Sequence, residues 1–165
     1  MLLPKIRKAE DGDAQGIIFL IRQAYYEYPH CILDVEGEEP ELLSVATTFE
    51  GKGGRFWVAT EEQTIVGCVA WVPGGQSNHG AVAGSELKKF YVKKSHRRLG
   101  LGSLLLDKVQ RSAQKVGDRS LVLWTDLRFV EAHAFYRARG FVETGRTRLL
   151  HDVSNTTELE FTRPV

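Results

Sequence analysis

Cysteine is scarce in this 165-residue chain: Cys31 and Cys68 stand far apart, and neither has ligand spacing with a histidine. No disulfide framework or metal site is therefore expected. Cys68, inside Ile65-Val66-Gly67-Cys68-Val69-Ala70-Trp71, reads as a small buried hydrophobe. An excess of one charge is also missing. A formal net charge of +1 gives no global field toward nucleic acid or a membrane surface. Long apolar runs are absent too. Ile17-Ile18-Phe19-Leu20-Ile21 follows an acidic flank of Glu10, Asp11 and Asp13, so it does not read as a signal peptide. Nothing approaches the ~20 apolar residues that a membrane span needs. With neither repeats nor low-complexity stretches, the expectation is one domain over 1–165, in the cytoplasm, without nucleic-acid or membrane partners.

What is present is a globular composition, 42% apolar and 26% charged, and one junction that stands out. Arg97-Arg98-Leu99-Gly100-Leu101-Gly102 lies between an alternating strand and an amphipathic helix. Glycines spaced by one residue allow a tight turn and a close backbone approach to a ligand. The helix start adds unpaired N–H groups and partial positive charge, a setting suited to a phosphate or pyrophosphate. Leu101, Leu105, Val109, Ala113 and Val116 mark the buried helix face, and Gly117 stops it. Upstream, Glu86 to Val92 alternates, with Leu87 and Tyr91 expected on one face and Phe90 and Val92 on the other. Downstream, Leu121-Val122-Leu123-Trp124 reads as a buried strand. Strand, helix, strand implies a parallel pair with a right-handed crossover, and ligands favour the carboxyl ends of such strands. Competing nucleotide motifs fail. Leu105 occupies the third glycine position of a dinucleotide fingerprint, and Gly75 to Gly80 lacks the lysine and hydroxyl of a P-loop.

The remaining elements follow by pattern. Leu2 to Arg7 reads as a first strand, and Asp11 or Asp13 caps a helix carrying Ala14, Ile17, Ile18, Ile21 and Tyr25 on one face. Pro29 to Pro40 reads as a loop too polar to pack, followed by a short helix over Glu41 to Phe49. Arg55–Thr60 and Thr64–Val72 form a hairpin, and Pro73–Ser85 is a glycine-rich surface loop. A helix over Ala132–Arg139 and two strands near Phe141–Leu149 and Glu158–Arg163 complete the chain. His151 to Asn155 is the turn between those strands. The expected architecture is α/β: a mixed, mostly antiparallel sheet with a central parallel strand pair, flanked by helices.

Glu86-Leu87-Lys88-Lys89-Phe90-Tyr91-Val92 followed by Arg97-x-x-Gly100-x-Gly102 resembles the acyl-CoA motif of the GNAT superfamily of N-acetyltransferases. Ala132-x-x-x-Tyr136-x-x-x-Gly140-Phe141 resembles that family's later motif, in the same order and separation. The resemblance implies an acetyl-CoA-dependent acyltransferase acting on a primary amine by direct attack, with a small metabolite or amino acid derivative as acceptor. Protein lysines or N-termini, and a non-catalytic acyl-CoA sensor, are the alternatives, and a homodimer stays open. It further implies that backbone groups of Phe90, Tyr91 and Val92 pair with the pantetheine arm like an added strand. Backbone amides of Arg97, Arg98, Leu99, Gly100, Leu101, Gly102 and Ser103 would hold the pyrophosphate, with the basic run from Lys88 to Arg98 facing phosphate. Many family members carry asparagine where this chain has Phe129, and proline where it has Lys94.

Acetyl transfer from a thioester to an amine needs a base for the amine, a stabilised oxyanion and a donor for the departing thiolate. A free alkylamine titrates near 10.4 and arrives protonated. The resemblance places Glu86 as the base and Tyr136 beside the thioester sulfur. The plainer readings are a surface glutamate paired with Lys88 and a core tyrosine packed on Phe135 and Phe141. In this fold the segment after the first helix borders the acceptor. There Asp34, Glu36, Glu38, Glu39 and Glu41 form either an acidic rim that attracts a cationic amine or a solvated loop. Tyr26, Tyr28 and His30 are candidate acceptor contacts.

Overall fold

The computed structural model describes residues 3–74 and 84–165. Leu2 of the expected first strand, the 75–83 part of the glycine-rich loop and His79 lie outside the described residues. One seven-stranded sheet runs in the order β1-β2-β3-β4-β5-β7-β6. Its strands are β1 (Lys5–Lys8), β2 (Arg55–Glu61), β3 (Thr64–Val72), β4 (Ser85–Val92), β5 (Ser120–Asp126), β6 (Val142–Leu149) and β7 (Thr157–Pro164). Among the described residues only β4 and β5 pair in parallel, and they occupy the middle of the sheet as expected. No helix among the described residues is long and apolar enough to cross a membrane.

Helices cover the two faces unequally. Helix α1 (Ala14–Tyr25) and helix α2 (Val45–Gly51) pack against the β2–β4 side of one face, around Ile17, Ile21, Phe49, Phe56 and Cys68. Helix α3 (Leu101–Val116) and helix α4 (Val130–Ala138) cover the other face through Leu101, Leu105, Val109, Tyr136 and Phe161. Leu101, Leu105, Val109 and Ala113 of α3 are fully buried there, as their spacing demands, but Val116, expected on the same face, is exposed at the last turn, where the helix runs past the sheet. The acids expected to cap α1 do not do so with their side chains, which are committed elsewhere. Asp13 accepts the Glu10 N–H at 2.8 Å and pairs with Arg7, while Asp11 accepts the Thr47 N–H at 3.0 Å and so ties α2 to α1.

Two expectations need correction. The stretch 41–49 is not one helix but a 3-10 turn over Pro40–Leu43 followed by α2, which runs on to Gly51. More consequentially, Leu87 and Tyr91 do not share a face. Gly67 and Cys68 of β3 pair with Val92 and Tyr91, yet Ala70 pairs with Lys88, so β4 carries one extra residue there. This bulge puts Leu87, Phe90 and Val92 toward α3 and α4, and Tyr91 toward α1. Simple alternation cannot anticipate an inserted residue that shifts every later side chain by one place.

Candidate active site

The bulge opens the centre of the sheet. β4 and β5 are paired only through Ser85, Glu86 and Leu87 with Leu121, Val122 and Leu123. Beyond that point the strands part, leaving the β4 edge at Lys88–Val92 unpaired toward β5. A cleft of about 550 Å³ fills the gap, bounded by both strands, by the residues before α3, by α4, and by the loops after α1 and between β6 and β7. Unpaired strand N–H and C=O groups in such a split suit an extended, amide-bearing ligand.

At one end of the cleft lies the loop that the sequence singled out. Arg98 (φ +61°) and Gly100 (φ +87°) both adopt left-handed backbone, the alternation that gathers successive N–H groups into an anion-binding concavity. Among the described residues, the amides from Arg98 to Ser103 donate no hydrogen bond, and the first closing bond runs from Leu104 N–H to Gly100 C=O. Gly102 is small of necessity. A Cβ there would lie 3.1 Å from Phe135 Cε2, and Phe135 in turn packs edge-on against Phe90. Leu99 is exposed, whereas Leu101 is buried beneath the helix start.

The two arginines divide. Arg97 borders the cleft with its guanidinium already engaged, donating to Glu27 at 2.6 and 2.8 Å, to Glu131 at 3.1 Å and, through Nε, to the Val92 carbonyl at 3.0 Å. Its side chain buckles α1, the end of β4 and α4 together. Arg98 lines the cleft, and so does Arg139, which donates to the Ser103 hydroxyl and stacks on the Phe135 ring at 5.0 Å. Arg139 was not singled out beforehand. It stands three residues beyond Tyr136 on the same helical side, which was the available signal.

Tyr136 borders the cleft from α4, boxed by the rings of Phe90, Phe135, Phe141 and Phe161. Its hydroxyl makes no hydrogen bond among the described residues. Burial raises its pKa well above that of an ordinary phenol, so it keeps its proton. The packing reading and the cleft reading thus hold together: the ring is core, and the oxygen is uncommitted. Glu86 and Lys88 lie on the sheet face opposite α3 and α4, with the Lys88 ammonium 3.6 Å from the Glu86 carboxylate. Lys88 lines the cleft, whereas Glu86, the expected base, is not among its lining residues.

At the other end of the cleft, two of its bordering loops are tied together. The Ile32 N–H donates to Ser154 Oγ at 2.9 Å, and that hydroxyl donates back to the Ile32 carbonyl at 3.1 Å. The Val153 N–H donates to Glu38 at 2.7 Å. The segment read as too polar to pack is therefore anchored, with Cys31 buried. The turn read as a mere connection between the last strands is half of the clasp. Asp126 is gripped by Arg128 at 2.8 Å, and the Asp126 carbonyl accepts from His133 Nε2 at 2.9 Å. Burial holds the His133 pKa low, so the ring is neutral with its proton on that nitrogen. Trp124 forms a wall with Arg148 stacked at 4.4 Å.

Most of the acidic run is spoken for. Asp34 accepts from the Gly37 N–H, Glu38 holds Val153, and Glu39 and Glu41 both pair with Lys89. Tyr28 reaches the cleft and packs on Phe129 at 4.8 Å, whereas Tyr26 is 79% exposed and His30 is exposed outside the cleft. Phe129 also packs on Tyr25 at 5.9 Å, so an aromatic contact to α1 occupies the place of the family's asparagine.

A family model described as an acetyltransferase (GNAT) domain matches residues 52–143. Among curated proteins, the chain is 33% identical to Probable N-acetyltransferase 14 of Xenopus tropicalis over 64% of its length. That match spans only 50% of the frog protein. It is 31% identical to an IAA acetyltransferase of Azospirillum brasilense, over 87% of this chain and 88% of that one. Among solved structures, a GNAT-family acetyltransferase of Staphylococcus aureus superposes with a TM-score of 0.79 at 25% identity, covering 97% of this chain and 98% of that one. A phosphinothricin acetyltransferase of Sinorhizobium meliloti, solved with acetyl-CoA, shares the fold with a TM-score of 0.74 at 19% identity, over 99% and 89% of the two chains.

Proposed function

This chain belongs to the GNAT family of acetyltransferases, enzymes whose co-substrate is acetyl-CoA, and we propose that it acetylates the primary amine of a small molecule. The observation that carries the small-molecule reading is the clasp. Ser154, Val153 and Glu38 tie the β6–β7 turn to the loop after α1 and roof the acceptor side of the cleft. An extended peptide needs an open groove, and a folded protein's lysine would have to cross that roof. The pantetheine arm lies along the unpaired Phe90–Val92 edge, and its pyrophosphate sits on the free amides of Arg98 to Ser103. Arg98 and Arg139 supply charge there. Arg97 contributes by fixing the loop rather than by touching phosphate.

With the thioester at the split, Tyr136 donates a hydrogen bond to the thiolate as the C–S bond breaks. The amine attacks from the acceptor side, and its proton passes to Glu86. Carboxylates within the cleft are engaged, Asp126 by Arg128 and Glu39 by Lys89. Among the described residues, Glu86 has the 3.6 Å ion pair to Lys88 alone, which suits it to take a proton relayed by water. The test is thiol release from acetyl-CoA across a panel of small amines, amino acid derivatives and lysine-bearing peptides. Turnover confined to small amines supports the reading. Preference for peptides overturns it, and tight binding without release for any amine would favour the sensor alternative.

A further inference from the structure

The bulge that opens the cleft is held by a buried cluster that the transfer chemistry leaves unused. Lys89 sits in it at φ +49°, left-handed backbone that a residue with a Cβ adopts only when its surroundings enforce it. Its carbonyl accepts from the Cys68 thiol at 3.2 Å, and burial pushes that thiol's pKa up to about 12, so it stays a neutral donor. The Lys89 ammonium lies 2.6 Å from Glu39 and 3.0 Å from Glu41, with only 12% of its side chain exposed. Burial alone would favour the neutral amine. The two carboxylates outweigh it, so Lys89 stays charged and anchored. Glu39 also accepts from the Tyr25 hydroxyl at 3.3 Å, which joins the cluster to α1.

We propose that Lys89 is a positioning residue: its ion pairs with Glu39 and Glu41 hold the β4 bulge in left-handed geometry and make the acetyl-CoA-receiving edge depend on the acceptor-side loop. This rests on the reading that acetyl-CoA occupies the split. The loop carrying Glu39 and Glu41 also carries Glu38 of the clasp, so the two halves of the cleft are coupled through one side chain. Coupling of this kind is reciprocal: the factor by which an acceptor changes acetyl-CoA affinity is the factor by which acetyl-CoA changes acceptor affinity.

Glycine separates anchoring from mere charge. Lys89→Ala and Lys89→Gly lose the same ion pairs and deprive the same carboxylates of their cation, but glycine enters left-handed backbone without strain. Acetyl-CoA affinity by calorimetry is expected to fall about tenfold in Lys89→Ala and to stay within about twofold of wild type in Lys89→Gly. Equal losses in both variants, or none in Lys89→Ala, overturn the proposal. Wild-type protein that binds no acetyl-CoA overturns the reading beneath it instead. Should Lys89→Ala not fold, the Glu39→Gln, Glu41→Gln double variant tests the anchor from the other side. Its affinity falls, and adding Lys89→Gly restores it; failure of that rescue overturns the proposal.

Discussion

The two halves of the cleft are built from different materials. The half assigned to the cofactor is backbone: the free amides from Arg98 to Ser103 and the unpaired edge of β4. The half facing the acceptor is side chain, from Tyr25 through Glu38 and Asp126 to Ser154, and nearly every polar group in it already has a partner. A backbone site tolerates wide sequence variation, provided glycines stand where the chain must turn or approach closely. A side-chain site changes with each substitution. The contrast explains how one co-substrate can be kept across a family while acceptors diverge.

The largest expected effect falls where the halves meet. Tyr136→Phe keeps the ring in its aromatic box and removes only the hydroxyl. Acetyl-CoA affinity should hold while kcat drops roughly 10²–10⁴-fold, the usual worth of a positioned acid or base. Glu86→Gln should cost a comparable factor at neutral pH and regain rate as pH rises and the amine arrives deprotonated, tracking the acceptor's own ionisation. Pre-steady-state measurement of acetyl transfer checks both. Full kcat in Tyr136→Phe with chemistry rate-limiting would reduce that residue to packing.

Next in size is a change confined to the backbone half. In Gly102→Val the new Cβ meets Phe135 at 3.1 Å, and Phe135 cannot yield without disturbing Phe90 on the β4 edge. Overpacking of this kind costs typically about 1–3 kcal/mol. Here it displaces the amides that face phosphate, so acetyl-CoA affinity should fall by about tenfold to a hundredfold. Calorimetry on the folded variant measures it, and wild-type affinity would break the pyrophosphate assignment.

Legibility in the sequence followed the same division. The left-handed turn before α3, the buried face of α3 as far as Ala113, the central parallel pair and the α4 helix around Tyr136 were readable because each is local, set by periodicity or by glycines a few residues apart. The face of Tyr91 was not, since the register shifts at Lys89, whose partners Glu39 and Glu41 stand 50 and 48 residues away. The clasp was invisible for the same reason. Ser154 meets Ile32 across 122 residues, and neither has a neighbour in sequence that announces the other. Arg97 has partners that its neighbours in sequence do not announce. Its place beside the glycines suggested a phosphate ligand, but Glu27 and Glu131, brought close only by folding, claim its guanidinium.

The smallest expected effect decides what the acidic run does on the acceptor side. A steering field would make Asp34, Glu36 and Glu38 act together, with an acceptor KM that rises on neutralisation and an effect that fades within a Debye length of about 8–10 Å as salt is added. The contacts point to a division instead. Glu38 holds the Val153 N–H at 2.7 Å, whereas Asp34 serves its own turn and Glu36 is exposed. Asp34→Asn, which can still accept from Gly37, combined with Glu36→Gln should leave the acceptor KM within about twofold. Glu38→Ala should raise it by about threefold to tenfold, in line with the ~1.5–3 kcal/mol of a hydrogen bond to a charged group, discounted because this one is exposed. Because Glu38 acts by closing the clasp rather than by attracting charge from a distance, its effect should be the same for neutral and cationic acceptors. It should change little between low salt and 0.5 M salt. A salt-sensitive loss shared equally among the three acids would restore the steering field and make the acceptor half, like the cofactor half, a matter of general electrostatics rather than of particular contacts.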